Sequence, residues 1–127
     1  MLLLIAAPAG VFAQEQSREE QEKQFYEAIE NQVERYTDQL NLEDWQVFYV
    51  DSILMHDMTA LKDEIEALSA ARVSSSEYMQ IASDKWMEAI YNAFRKVLND
   101  AQWEKYLKGG AKREKAARDK RALKRMQ

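Results

Sequence analysis

The sequence predicts an all-α fold of elongated antiparallel helical hairpins, about four helices in all, pairing with a second copy as a coiled-coil-like dimer. Three observations carry this expectation. First, the only Pro is Pro8 and the only Gly residues are Gly10, Gly109 and Gly110, so residues 11–108 hold neither helix breaker. Second, Val47, Val50, Leu54, Met58, Leu61, Ile65 and Leu68 fall three or four residues apart, a mean step of 3.5. Such a step keeps one apolar line facing a partner helix. Third, cap signals recur at Leu40–Trp45, at Ser74–Glu77 and at Leu98–Trp103, dividing the chain into segments of helical length.

Taken in order, residues 1–13 (MLLLIAAPAGVFA) form a short apolar run ending in small residues and followed at once by polar chain. That pattern predicts a secretory signal peptide cleaved before Gln14, with no basic residue ahead of the apolar stretch. Residues 14–24 carry no apolar side chain and are expected to be a solvated lead-in. Phe25, Ile29, Val33, Tyr36 and Leu40 then mark one face of a first helix over about residues 20–38.

Asn41 is the expected N-cap of the long second helix, with Asp44 reaching back as in a capping box and Leu40 stapled against Trp45. This helix runs to about Ala70, and Trp45, Phe48 and Met55 widen its apolar face. Ser74 with Glu77 opens a third helix whose stripe is Met79, Ala82, Trp86, Ile90, Ala93 and Val97, antiparallel to the second. Asn99 caps a short fourth helix, Gln102 closes its box and Leu98 meets Trp103. Gly109–Gly110 provide a C-cap or hinge. Three units follow: the signal peptide 1–13, a hairpin domain 14–110 and a basic arm 111–127.

Charge is polarised along the chain. Residues 14–110 sum to −10 and residues 111–127 to +6, so an acidic body carries a basic arm and each could hold the other. Alone, the arm is expected to fray as a helix until something acidic binds it. Export makes nucleic acid an improbable partner for Lys112, Arg113, Lys115, Arg118, Lys120 and Arg121. Unfolded or envelope polypeptides, a neighbouring subunit or an anionic membrane surface fit better.

Chemistry is sparse. Without Cys there is no disulfide, thiolate metal site or cysteine nucleophile, and no HExxH, nucleophile elbow or phosphate-binding glycine loop occurs. His56 is the one candidate metal ligand, but Met55, His56, Asp57 and Met58 diverge around a helical turn, so no metal or cofactor is expected. A non-enzyme is the reading. Most aromatics at helical spacing belong to core or dimer seam. Tyr49 and Tyr91, off the main stripes, are the expected exposed pair, with Met55 adding adaptable surface.

The helix starts Leu42-Glu43-Asp44-Trp45-Gln46 and Leu98-Asn99-Asp100-Ala101-Gln102 share the form Leu-x-x-x-Gln. They resemble degenerate copies of the paired LTxxQ motifs of the Spy/CpxP family, over roughly residues 36–108. The resemblance implies a small periplasmic helical protein acting as an ATP-independent chaperone, an envelope-stress regulator or a metal-responsive adaptor. The expected role is therefore capture of non-native polypeptide on an amphipathic helical surface. A signalling or metal-sensing adaptor and a purely structural helix-pairing module are the alternatives.

Overall fold

The computed structural model describes the backbone of residues 9–73 and 75–127, with side chains at residue 15 and from residue 17 onward except residue 74. Residues 1–8 of the expected signal peptide and the expected cap Ser74 lie outside the described residues. The described chain is all-α: α1 Ala9–Leu40, α2 Asp44–Ala70, α3 Ser76–Val97, α4 Asp100–Tyr106, a kinked junction Leu107–Ala111, and α5 Lys112–Arg125.

The first helix is longer than its apolar stripe predicts, because it extends through the polar lead-in. Glu, Gln, Lys and Arg are good helix formers and no breaker interrupts them. Residues 17–24 are nevertheless exposed, so this extension adds length and no core. Its end is set by Asn41, which takes φ 51° while the Leu42 N–H reaches the Thr37 carbonyl at 3.1 Å. This is a left-handed C-cap closing α1. Asn41 therefore does not cap α2, as the sequence suggested; Asn is favoured in both roles, and the left-handed one wins. The N-cap of α2 is Glu43. The α2–α3 turn repeats the device with Arg72 at φ 60° and a 2.9 Å bond from Val73 N–H to the Leu68 carbonyl, after which Ser75 is the N-cap.

α1 runs antiparallel to α2 and α2 antiparallel to α3, while α4 packs on α1 and α5 returns along α3. The periodic line on α2 faces inward: Val50, Leu54 and Leu61 are buried, and Val47, Met58, Ile65 and Leu68 are partly so. Within one chain it is covered by α1 and α3. Ile29, Val33, Ile90 and Phe94 complete the core, Phe94 and Val50 without any exposure. An aromatic nest closes it under α4, with Tyr36–Phe94 centroids 5.3 Å apart, Phe94–Tyr106 5.2 Å and Tyr91–Trp103 4.9 Å. One side of the α2–α3 hairpin is thus roofed by α1, α4 and α5. The other is bare.

Candidate functional site: a bare aromatic groove, a glutamine joint and a clasped arm

On the bare side, α2 presents Trp45, Phe48 and Tyr49, which are 52%, 66% and 50% exposed. Their rings meet edge to face, Trp45–Tyr49 at 6.1 Å and Phe48–Tyr49 at 5.6 Å. Across from them α3 carries the small Ala89 and Ala93 with Val97 and Lys96, so the large side chains of one helix stand over a low wall of the other. The resulting groove, about 540 Å³, is apolar along its floor and has Lys96 at its edge. Trp45 Nε1 donates to Glu43 Oε2 at 2.6 Å, which holds the indole at the groove mouth. The same face continues toward the hairpin turn through His56 and Trp86, whose rings lie 6.3 Å apart. Trp86 is itself anchored by donating to Glu64 Oε2 at 2.7 Å, and Lys85 pairs with the same carboxylate. Those two bonds hold the Glu64 carboxyl below its usual range.

At one end of the bundle the starts of α2 and α4 abut. Leu42 and Leu98 occupy equivalent positions just before their N-caps, Glu43 and Asn99, and both are buried. Gln46 and Gln102 each sit at the third helical position. Each Oε1 accepts from the N–H of its own N-cap at 3.0 Å. The two amides also bond to each other, Gln46 Nε2 to Gln102 Oε1 at 2.7 Å and Gln102 Nε2 to Gln46 Oε1 at 2.9 Å. Each Nε2 then reaches the carbonyl two residues before the other N-cap, Val97 at 3.1 Å and Asn41 at 3.4 Å. A local two-fold arrangement results, in which two sequence copies become two halves of one buried network. Asn99 adds the bond its sequence predicts, its Oδ1 accepting from Gln102 N–H at 2.8 Å.

The basic arm is a helix docked on α3. Arg121 and Arg125 converge on Asp84, with Arg121 Nε and Nη2 donating at 2.9 and 2.7 Å and Arg125 Nη2 at 3.0 Å. One turn further along α3, Glu88 accepts from Arg118 Nε at 3.0 Å and from Lys115. The Arg121 bonds hold the Asp84 carboxyl at about 2, against the effect of burial, with Arg125 and Gln80 assisting. At Glu88 burial pushes the pKa up, but Lys115 and Arg118 outweigh it and the net shift is downward. Lys115 moves up in response to Glu88 and Asp119. The acidic partner of the arm is thus in the same chain.

The residues singled out from sequence separate accordingly. Tyr49 is exposed on the groove, whereas Tyr91, expected outside, is drawn beneath α5, where the Lys115 and Arg118 cations lie 5.5 and 5.6 Å from its ring. Met55 packs partly buried against the core. Lys115, Arg118 and Arg121 are engaged with α3, while Lys112, Arg113 and Lys120 face solvent. His56 Nδ1 lies 2.7 Å from Asp57 Oδ1, and among the described residues no three His, Asp or Glu side chains cluster in a way that would hold a metal ion. Trp45 and Phe48, read as widening a packed face, are instead exposed, Trp45 on the groove and Phe48 beside it. The clue lay in Ala89 and Ala93, four residues apart, which leave them nothing to pack against.

Among the described residues no helix is long and apolar enough to cross a membrane. No family model, curated protein or solved structure matches this chain.

Proposed function

We propose that this chain is an exported, ATP-independent chaperone-like protein of Spy/CpxP type that captures apolar segments of non-native envelope polypeptides, working by binding rather than by chemistry. The observation that carries the reading is the exposed aromatic patch of Trp45, Phe48 and Tyr49 on α2, with Trp45 and Tyr49 lining a bare groove against α3. Three adjacent exposed aromatics on a monomer are uncommon unless something covers them, and rings with few rotatable bonds bind varied apolar partners at low entropic cost. The paired Leu-x-x-x-Gln segments, used at equivalent positions of one joint, support the family assignment. Export rests on the apolar N-terminal run.

The arm's contribution is smaller than its charge suggests, since Lys115, Arg118, Arg121 and Arg125 are engaged by Asp84 and Glu88. Lys112, Arg113 and Lys120 remain for weak attraction to acidic clients or anionic lipid. The test is suppression of aggregation of a chemically unfolded client, without nucleotide, by residues 14–127 and by the Trp45→Ser/Phe48→Ser double variant. Protection by the parent that falls several-fold in the double variant, with helical content retained, is expected. No protection at several-fold excess sinks the reading. In that case, a concentration-dependent dimer that the same variant dissolves would identify the groove as a pairing surface between copies, and metal binding abolished by His56→Ala would favour a metal-sensing adaptor.

A further inference from the structure

On the roofed side of the hairpin, away from the aromatic groove, a second cavity of about 300 Å³ lies between α1, α2, α3 and the α4–α5 rod. Its lining is apolar at Ile29, Leu54, Met58, Met87 and Ile90 and polar at Gln32, Tyr36, Tyr106 and Arg118, with the exposed Glu114 also on it. Arg118 is 93% buried, being only 7% exposed. Its Nε is committed to Glu88 at 3.0 Å, but its Nη2 is buried with no partner among the described residues. A buried guanidinium N–H left unpaired is costly, and native proteins rarely keep one without an acceptor to meet it. The phenols of Tyr36 and Tyr106 on the same lining are neutral at about pH 7 and can donate as well.

We propose that this cavity is a binding site for a small single-chain amphiphile with a carboxylate head, its chain along the apolar wall and its oxygens on Arg118. The size sets the class: at roughly 30 Å³ per non-hydrogen atom the space holds about ten, the length of a medium-chain fatty acid. An anion is preferred over a cation because Arg118 is buried whereas Glu114 is exposed and screened by solvent. A lone buried water on Nη2 is the competing occupant, and it would leave the apolar lining without a purpose.

Octanoate labelled with ¹³C at the carboxyl is the probe, titrated into the full chain by NMR and calorimetry beside octan-1-ol and octylamine. Saturable one-to-one octanoate binding, roughly tenfold or more tighter than octanol and tighter still than octylamine, is the expected result. Arg118→Met should abolish that preference while leaving octanol binding unchanged. Because this change removes an ion pair and can unfold the chain, Ala28→Phe at the cavity mouth serves as a second variant, keeping every charged contact. It should weaken octanoate at least about tenfold with helical content intact. Equal affinity for octanoate and octanol, no binding of either, or full binding by a folded Ala28→Phe variant would each overturn the proposal. The aromatic groove lies on the other side, so client protection and octanoate binding succeed or fail separately.

Discussion

At the scale of the residue, each amide of the Gln46–Gln102 pair engages both its oxygen and its nitrogen twice. Replacing either glutamine by Leu leaves a backbone N–H, a carbonyl and half of the surviving amide without partners. Gln46→Leu or Gln102→Leu should therefore cost about 1–3 kcal/mol of stability. The double variant should cost less than the sum, with a coupling of about 0.5–3 kcal/mol in a double-mutant cycle by urea unfolding. Strict additivity would mean that the amides act independently. Asn99 and Gln102 were legible as cap and box because their bonds are local. The Gln46–Gln102 bond spans 56 positions, and no local rule reads that.

Between elements, the two adjacent glycines of the α4–α5 junction do different work. Gly110 takes φ 120°, ψ −20° at the kink between α4 and α5, a conformation closed to residues with a Cβ, whereas Gly109 has no positive φ. A Cβ at either position meets nothing within 4 Å, so any effect of substitution is conformational and not a clash. Gly110→Ala should destabilise by about 1–3 kcal/mol. Gly109→Ala should be neutral or stabilising by up to about 1 kcal/mol, because it reduces the freedom of the unfolded chain. Thermal unfolding of the two variants side by side checks the contrast, and equal effects would remove the special role of Gly110. The kink matters because it aims α5 back along α3. There Lys115 and Arg118 reach Glu88, while Arg121 and Arg125 reach Asp84.

For the whole molecule, that clasp links body to arm and makes stability depend on acid. Asp84 titrates at about 2 in the folded protein, against an ordinary value of 3.8. Its stabilisation is complete above the ordinary value, is lost as pH falls toward about 2, and amounts to something on the order of 2 kcal/mol. Glu88 is shifted in the same direction. Asp84→Asn should thus lower stability near neutrality and flatten the fall between about pH 4 and pH 2. Urea midpoints across that range measure it, and an unchanged slope would show that the clasp contributes little. Truncation after Leu107 is accordingly no neutral deletion, since it removes the α5 cations that pair with Asp84 and Glu88 and uncovers Tyr91.

Local patterns in the chain were enough to set the helices, the inward line on α2, the antiparallel turn after α2 and the capping of α4. Each follows from side-chain period or from bonds within four residues, which the chain makes wherever it is placed. Tertiary structure alone decided that Asn41 would end α1 and not begin α2, because Asn suits both ends of a helix and only the packing of Leu40 and Leu42 chooses. It also decided that Tyr91 goes inside while Trp45 and Phe48 stay out, since α5 covers one side of the hairpin and nothing among the described residues covers the other. The balance of −10 and +6 showed that body and arm could pair. Which carboxylates they would use awaited the register of α5 on α3, because charge attracts at a distance but the geometry of packing selects the partner.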